Sequence, residues 1–186
     1  MRSIDHKDVF NIHLKQPRSS QALEESELAD LPERAAIDVQ LTYYTDYSLR
    51  VLMYLAIEPR RRVSISEIAD SYDISRNHMV KVVHNLARGG FIESYRGKGG
   101  GIELARAPAK INLGEVVRYT EGPFRPVECF DAERNQCVIT NACGLAPVLK
   151  EACDSFLATL DRYTLTELVA KRERLTRRLG LKKGLD

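Results

Sequence analysis

Residues 64–104 read SISEIADSYDISRNHMVKVVHNLARGGFIESYRGKGGGIEL, and this stretch decides the fold. It opens on a capping-box pattern, Ser64 followed three positions later by Glu67, which predicts the start of a short helix. After a tight turn, Ser75 is the predicted N-cap of a second helix, Arg76–Arg88, whose apolar residues recur with helical spacing. Two short helices joined by a tight turn are typical of a helix-turn-helix.

Directly after the second helix, the sequence predicts a β-hairpin. Two short strands, residues 91–95 and 102–104, are separated by the glycine-rich run of residues 96–101. Such runs join antiparallel strands readily, because glycine accepts positive φ. A hairpin tipped by Arg96 and Lys98 after a helix-turn-helix predicts a wing. A phosphate-binding nucleotide loop is the alternative, but its pattern requires Gly-Lys-Ser/Thr opening a helix, whereas a strand follows here.

Helical patterns on both sides of this stretch predict a mainly α protein. In residues 42–57 the apolar side chains recur at i, i+3, i+7 and i+11, which places them on one helical face. Residues 111–119 predict another helix, and the capping-box pattern from Thr164 to Glu167 predicts the start of a last one. The charged tail, residues 171–183, is expected to fray as chain ends do.

A long amphipathic helix is predicted between Pro147 and Leu160. Its apolar stripe comprises Leu149, Cys153, Phe156 and Leu160. Cys153 therefore lies on the apolar face, and we interpret it as a packing residue, not as a ligand. Because such a stripe exceeds what a small domain can cover, we expect self-association into a homodimer. The predicted fold is mainly α with a small β-hairpin wing: a winged helix-turn-helix plus a long dimerisation helix.

Composition restricts the class of protein. The chain has 186 residues, of which 44% are hydrophobic, enough for a proper core in one or two domains. It has no run of roughly 18 consecutive apolar residues, so no membrane helix is predicted. The N-terminus lacks the apolar segment of a signal peptide, so we expect a cytoplasmic protein with reduced thiols. Residues 60–98 hold eight Lys/Arg against four Asp/Glu, which suits a nucleic-acid surface.

The chain divides into four predicted segments. Residues 1–38 are acidic and carry few apolar side chains, so we interpret them as a disordered or poorly ordered extension. Because domain-like sequence begins at Val39, we expect the natural start there, with the extension an over-extended gene prediction. Residues 39–122 are the predicted winged helix-turn-helix domain. The cysteine loop comprises residues 123–146, and residues 147–186 hold the dimerisation helix and the tail.

Three of the four cysteines, Cys129, Cys137 and Cys143, lie in the predicted loop with the spacing Cys-x7-Cys-x5-Cys. The loop is polar, without apolar periodicity, and has Pro126 before its cysteines and Pro147 after them. Thiolates grouped on a loop suit an iron–sulfur cluster, zinc or copper(I) better than metals that prefer oxygen ligands. Three ligands also leave a fourth position open. The alternative is three ordinary loop thiols with no joint role.

The predicted base-reading surface is the exposed first part of the second helix. Its polar residues point away from the buried stripe and toward a major groove, which alone presents a distinct pattern for every base pair. There, arginine or lysine suits guanine and asparagine suits adenine. The wing cations are predicted to enter the neighbouring minor groove, where negative potential attracts them. The residues predicted to contact DNA are Ser75, Arg76, Asn77, His78, Lys81, Arg96 and Lys98.

The sequence resembles a known family, the bacterial winged-helix regulators that carry iron–sulfur clusters, and in particular the NsrR-type nitric-oxide-sensing repressors. The resemblance extends over residues 39–169. The wing, residues 96–101, is shared across the broader family, whereas the Ser-Arg-Asn-His-Met-Val-Lys run of residues 75–81 is similar to the narrower group. Residues 40–50 and 163–169 carry the resemblance at the two ends.

This resemblance implies a homodimer that is crossed through the helix after the cysteine loop and binds a double-stranded DNA operator. It implies an iron–sulfur cluster, 4Fe-4S or 2Fe-2S, held by Cys129, Cys137 and Cys143. It also implies a non-cysteine fourth ligand at Asp46, supplied by the other subunit. Asp46 has an ordinary interpretation too, since it lies near a helix N-terminus and four residues before Arg50. Seven residues separate the first two cysteines, more than in most members of the family. This departure bears on the exact geometry of the loop more than on which residues are the ligands.

The implied function is that of a non-enzymatic repressor that responds to nitric oxide and controls nitrosative-stress genes. One alternative is a regulator of the same fold that senses iron–sulfur status or oxidation. Another is a constitutive DNA-binding protein stabilised by zinc, although zinc sites commonly use closer cysteine pairs. A thiol enzyme is disfavoured, because the sequence has no Cys-x-x-Cys and no histidine close to a loop cysteine.

Overall fold

The computed structural model of the protein describes residues 40–59, 61–123 and 125–181. The predictions for residues 1–38 and for a start at Val39 lie outside the described residues. The helices are α1 (Tyr43–Ile57), α2 (Ile65–Tyr72), α3 (Arg76–Arg88), α4 (Leu113–Glu121), α5 (Leu145–Leu160), α6 (Leu165–Leu168) and α7 (Arg172–Arg178), and the strands are β1 (Ile92–Tyr95) and β2 (Gly101–Leu104). None of these described helices is long and apolar enough to cross a membrane.

The helix-turn-helix is confirmed by the local geometry of its caps. The side chain of Ser64 accepts a hydrogen bond from the backbone N–H of Glu67, and that of Ser75 accepts one from His78. Between the helices, Asp73 adopts a left-handed conformation with φ of 53°, which aspartate tolerates better than most residues. α3 has the predicted bounds, and its predicted stripe is buried. The stripe comprises Met79, Val82, Val83 and Leu86.

The carboxylate of Glu67 forms different bonds from those of the predicted capping box. It accepts a hydrogen bond from the Tyr54 hydroxyl at 2.9 Å and is also bound by the guanidinium of Arg61. The Arg61 guanidinium, helped by the Tyr54 hydroxyl, lowers the pKa of Glu67. Glu67 therefore stays ionised and ties α2 to α1 and to the loop between them.

The predicted wing is confirmed as well. β1 and β2 pair antiparallel, with Ile92 opposite Leu104. Val63 extends this sheet, because its N–H donates to the carbonyl of Ile102 at 3.0 Å and its carbonyl accepts from the Ile102 N–H at 2.8 Å. Glycine is required at Gly101, where φ is 152° and an added Cβ would lie 2.9 Å from the Val63 carbonyl oxygen. The base of the wing is thus fixed to the segment that precedes α2.

α1 forms the centre of the hydrophobic core. It packs against α3, α4, β2, α6 and α7, and its Val51, Leu52, Leu55 and Ile57 are fully buried. Each such side chain contributes roughly 1.5–3 kcal/mol by leaving water. Among the described residues, the other large, fully buried side chains are Tyr54, Ile68, Met79, Leu86, Phe91, Ile102, Ile111 and Leu165. The helix-turn-helix, the wing and α6 therefore share one core.

α5 differs from the other long helices in its burial. It begins at Leu145, two residues before the predicted start, and none of its side chains is buried. It lies against α4, and its predicted stripe is half-buried. The stripe comprises Leu149, Cys153, Phe156 and Leu160. The described chain therefore leaves much of this apolar helix uncovered.

The prediction of a frayed tail is wrong for residues 171–181. α7 forms here, and Leu175, Leu179 and Leu181 pack against the core. The spacing of these leucines places them on one side of the helix and its C-terminal turn, whereas the charged residues between them face solvent. The predicted capping box of Thr164 forms before α6, with Glu167 accepting a hydrogen bond from the Thr164 N–H at 2.7 Å.

Candidate nucleic-acid interface and cysteine loop

The start of α3 presents the predicted base-reading surface. Its five predicted residues, Ser75, Arg76, Asn77, His78 and Lys81, are all exposed. Two of them form side-chain hydrogen bonds within the protein: Ser75 caps α3, and Arg76 donates from Nε to the Ser66 hydroxyl at 3.2 Å. These bonds fix the first turn of α3 against α2. The helix can therefore present its polar face to a groove without first becoming ordered.

The wing tip carries the two predicted cations. Arg96 and Lys98 are exposed. They are separated by Gly97, and both Gly97 and Gly99 have positive φ, 87° and 79°. The N–H of Gly100 donates to the carbonyl of Gly97 at 2.9 Å and closes the turn. The tip is thus a narrow, cationic projection, as minor-groove contact requires.

Arg62 is a residue beside the wing that was not predicted as a site residue. Its guanidinium carbon lies 3.7 Å from the centroid of the Tyr95 ring. Its Nε pairs with the carboxylate of Glu103 at 3.3 Å. In the sequence, only the run of three arginines at residues 60–62 indicates it, and that run gives no partner.

Asp46 lies near the start of α1 and forms the ion pair expected from its spacing to Arg50. The Asp46 carboxylate is bound by Arg50 through Nη2 at 2.6 Å and Nε at 3.0 Å. The Asp46 side chain keeps 39% of its surface exposed. The guanidinium of Arg50 also lies 5.9 Å from the ring centroid of Tyr47 and 5.8 Å from that of Tyr72. The Tyr47 ring in turn lies 6.4 Å from the His78 ring, so side-chain contacts run from Asp46 to the start of α3.

The cysteine loop connects α4 to α5. Cys129 lies in a short 3-10 turn, Glu128–Phe130, and Cys143 lies two residues before α5. The N–H of Cys137 donates to the Asn135 side chain at 3.0 Å, and its carbonyl accepts from Thr140 at 2.7 Å. All three thiols are half-buried and belong to no disulfide.

The donor set of this loop suits a metal group, although its thiols are not gathered around one point. Among the described residues, the structure has no group of three or more His, Cys, Asp or Glu placed to hold a metal ion. Asp46 is occupied by Arg50. Three free thiols on one loop do suit a soft metal or an iron–sulfur cluster. The ligand roles of these four residues stay a prediction.

Apolar side chains are exposed beside the cysteines. Val138, which follows Cys137, is 99% exposed, and Ile139 is 56% exposed. Leu145 and Val148, at the start of α5 after Cys143, are 57% and 60% exposed. Contiguous exposed apolar patches on a small protein are typical of interaction surfaces.

The polar start of α3, the cationic wing and the core that holds them define a winged-helix DNA-binding regulator. We call α1–α4 with the wing the reading head. The chain belongs to the Rrf2 family, whose model, described as an iron-dependent transcriptional regulator, matches residues 41–171. It is therefore a transcriptional regulator and not an enzyme.

Relatives with assigned names are similar over most of the chain. The HTH-type transcriptional regulator NsrR of Bacillus subtilis (strain 168) is 52% identical over 145 residues, which are 77% of this chain and 99% of the relative. The regulator of the same name from Bacillus licheniformis is 46% identical over 143 residues, which are 76% of this chain and 100% of the relative. The predicted NsrR-type resemblance is thereby confirmed.

Solved structures share the fold. IscR of T. potens superposes with a TM-score of 0.58 at 23% identity, covering 74% of this chain and 91% of that one. CymR (YrzC) of B. subtilis, described as the global cysteine regulator, superposes with a TM-score of 0.56 at 25% identity, covering 72% and 98%. These similarities support the winged-helix architecture.

Proposed function

We propose that the protein is a dimeric cytoplasmic repressor whose affinity for a DNA operator depends on an iron–sulfur cluster that reacts with nitric oxide. The genes under its control would be those for nitrosative stress. This proposal rests on one observation: the loop between the reading head and α5 carries three half-buried free thiols. The NsrR name of relatives that match three quarters of the chain supports it.

Cys129, Cys137 and Cys143 are the residues that would hold the cluster. Thiolates are the usual protein ligands of iron–sulfur clusters. When bound, the cluster supplies iron that nitric oxide can attack. The three thiols are neither exposed nor fully buried, so the loop can shield a bound group from bulk water while a small molecule still reaches it.

Asp46 would be the fourth ligand, supplied to the cysteine loop of the other subunit. Its present pair with Arg50 is only partly buried, with 39% of the Asp46 side chain exposed, and ion pairs near the surface contribute no more than about 1 kcal/mol. The carboxylate can therefore leave Arg50 at little cost. It is also a harder ligand than a thiolate, so the position it fills is the weakest of the four. Asp46 thus has two alternative partners, one in its own helix and one in the other subunit.

A second copy of the chain would cover α5. This helix has 16 residues, an apolar stripe and no buried side chain in the described chain. Its first turn exposes Leu145 and Val148. Burial of apolar surface contributes roughly 25 cal/mol per Å², so pairing two such helices favours a dimer. The symmetry of a homodimer would place two reading heads on one operator.

The contacts of Arg50 would connect Asp46 to DNA binding. Arg50 lies between Tyr47 and Tyr72, and Tyr47 contacts the ring of His78 at the start of α3. When Asp46 changes partner, α1 would move with it and shift α3. Dimeric readers hold their helices about 34–36 Å apart, so a small shift lowers operator affinity. A coupling free energy of about 3 kcal/mol would change that affinity roughly 150-fold.

The test is anaerobic purification, followed by iron and sulfide analysis, absorbance and operator binding before and after stoichiometric nitric oxide. We expect a brown protein that binds the operator and releases it after nitric oxide. A response to oxygen or to iron depletion, with none to nitric oxide, would instead favour a redox or iron–sulfur-status sensor. A colourless protein with zinc and constitutive binding would overturn the proposal.

A further inference from the structure

Four side chains contact one another along the wing, three from its two strands and one, Arg62, from the loop before α2. The guanidinium carbon of Arg62 lies 3.7 Å from the ring centroid of Tyr95 in β1. The Arg62 Nε pairs with Glu103 in β2 at 3.3 Å. The Tyr95 hydroxyl donates to the carboxylate of Glu93, also in β1. We call this set, Arg62, Tyr95, Glu93 and Glu103, the wing clasp.

The wing clasp links three separate segments of the chain. Arg62 comes from the loop before α2, two of the other members come from β1, and the last comes from β2. The carboxylates of Glu93 and then Glu103 raise the pKa of Tyr95 to about 12. The Tyr95 phenol therefore stays neutral at physiological pH and continues to donate its hydrogen bond. Because the phenol is not ionised, the Tyr95 ring keeps the same cation–π contact with the Arg62 guanidinium over this pH range.

The wing needs such support because its own strands are short. Each strand has four residues, and an isolated two-stranded hairpin is marginal in water. At the tip, an added Cβ on Gly97 or Gly99 would meet no atom within 4 Å. The tip therefore has little packing of its own, and its direction is set by contacts at its base.

We propose that Arg62 is a positioning residue for DNA binding, which acts through Tyr95 to aim Arg96 and Lys98 of the wing at the minor groove. Tyr95 directly precedes Arg96 in the chain. Contacts that hold the Tyr95 side chain therefore act on the end of β1, from which the cationic tip leaves the sheet. The inference rests on wing contact with DNA, which is part of the proposed function.

A direct phosphate contact by Arg62 is the competing role. Its guanidinium already has a ring on one face and a carboxylate on its Nε. The Glu103 carboxylate offsets the cationic charge that would attract a phosphate. The adjacent Arg61 is likewise occupied, by Glu58 and Glu67. The arginines at 61 and 62 are therefore engaged within the protein, whereas Arg96 and Lys98 at the wing tip are exposed.

The experiment measures the affinity of the full chain for a duplex of about 30 base pairs, long enough for two half-sites one turn apart. The wild-type protein itself selects this duplex from a random-sequence pool. The variants are Arg62→Ala and Tyr95→Leu, of which the second changes no charge. Both should weaken binding roughly two- to fivefold, the worth of an exposed cation–π contact. Tyr95→Phe, which keeps the ring face, should stay closer to wild type than Tyr95→Leu.

Two further measurements separate positioning from phosphate contact and from misfolding. In a background that already carries Arg96→Ala and Lys98→Ala, Arg62→Ala should cause no additional loss, because no cations are left to aim. In that same background the slope of log affinity against log salt should not change on Arg62→Ala, whereas loss of a phosphate contact made by Arg62 itself would lower it by about 0.9. Circular dichroism and thermal unfolding check that each variant is folded.

An additive loss in the double-variant background, or wild-type affinity of Tyr95→Leu, would overturn the inference. If Tyr95→Leu fails to fold, Arg62→Ala in the two backgrounds still decides the matter. Failure of the wild-type protein to enrich any duplex would instead count against the proposed function. The two failures are thus distinguishable.

Discussion

Arg118 and Asp161 form a bidentate ion pair that joins the reading head to the C-terminal end of α5. Nη1 of Arg118 lies 2.6 Å from Oδ1 of Asp161, and Nη2 lies 2.5 Å from Oδ2. Arg118 belongs to α4, and Asp161 directly follows α5. Asn112, the N-cap of α4, donates to the Asp161 carbonyl at 2.7 Å. The angle between α5 and the reading head is therefore held by both side-chain and backbone bonds.

Gly114 makes this joint possible, which gives a prediction. An added Cβ at Gly114 would lie 2.1 Å from Oδ1 of Asp161 and 2.9 Å from Nη1 of Arg118. Gly114→Ala should therefore displace the exposed ion pair and lower the free energy of unfolding. Urea denaturation measures it. Gly144→Ala is the matched control, since a Cβ there meets nothing within 4 Å, and an equal loss in both variants would contradict the explanation.

The same ion pair predicts how stability depends on pH. The guanidinium of Arg118 lowers the pKa of Asp161 in the folded protein. A carboxylate with a lowered folded pKa contributes stability above its unfolded pKa of about 3.9, and this contribution is lost as the pH falls through the folded value. Asp161→Asn should therefore lower the melting temperature at neutral pH and differ little from wild type in strong acid.

Thermal unfolding of both proteins across the acid range checks this pH dependence. Asp154→Asn removes a carboxylate of α5 whose ion pair lies within that helix, so it serves as the control for a general loss of negative charge. A melting-temperature difference for Asp161→Asn that stays constant with pH would show that Asp161 acts through packing instead.

The local features of the fold could be predicted from the sequence, whereas the ion pairs between residues far apart in the chain could not. The bounds of α3 and the wing were predictable because their signals, the Ser75 cap and the glycine-rich turn, lie next to the elements they define. α7 was missed because its many charged residues favour a solvated chain end, although Leu175 and Leu179 recur at helical spacing and pack on the core. The pairs of Arg62 and of Arg118 join residues about 40 positions apart, and no local pattern encodes them.

The features of the candidate site also divide into those that local sequence predicts and those that depend on other parts of the structure. Exposure of the α3 residues followed from helical periodicity, since they lie opposite the Met79 stripe. The pair between Asp46 and Arg50 followed from their spacing. The proposed ligand role of Asp46 rests on the family resemblance and on a second subunit. A single chain contains neither the partner nor the geometry of that contact.

The reading helix and the wing should respond differently to the loss of a cation. Lys81→Ala should weaken binding to the cognate duplex by about 1–3 kcal/mol and relax its sequence preference, because Lys81 is exposed on the side of α3 that is predicted to face the groove. Arg96→Ala should mainly lower the slope of log affinity against log salt, by about 0.9. Binding titrations of both variants at several salt concentrations check this, and unchanged affinity of Lys81→Ala at fixed salt counts against its role.

Asp46→Ala provides the sharpest test of the proposed sensor. Since the ion pair of Asp46 with Arg50 is only partly buried, its loss should change the stability of the iron-free protein by no more than about 1 kcal/mol. Retention of iron under anaerobic conditions, by contrast, should fall, and operator affinity should no longer respond to nitric oxide. Asp154→Ala is the control, because it also removes the carboxylate of an ion pair at i,i+4 spacing, with Lys150 in α5. An Asp46→Ala protein that keeps its iron, its nitric oxide response and its operator affinity would refute the ligand role, whereas equal losses in both variants would trace the effect to the helical ion pair itself.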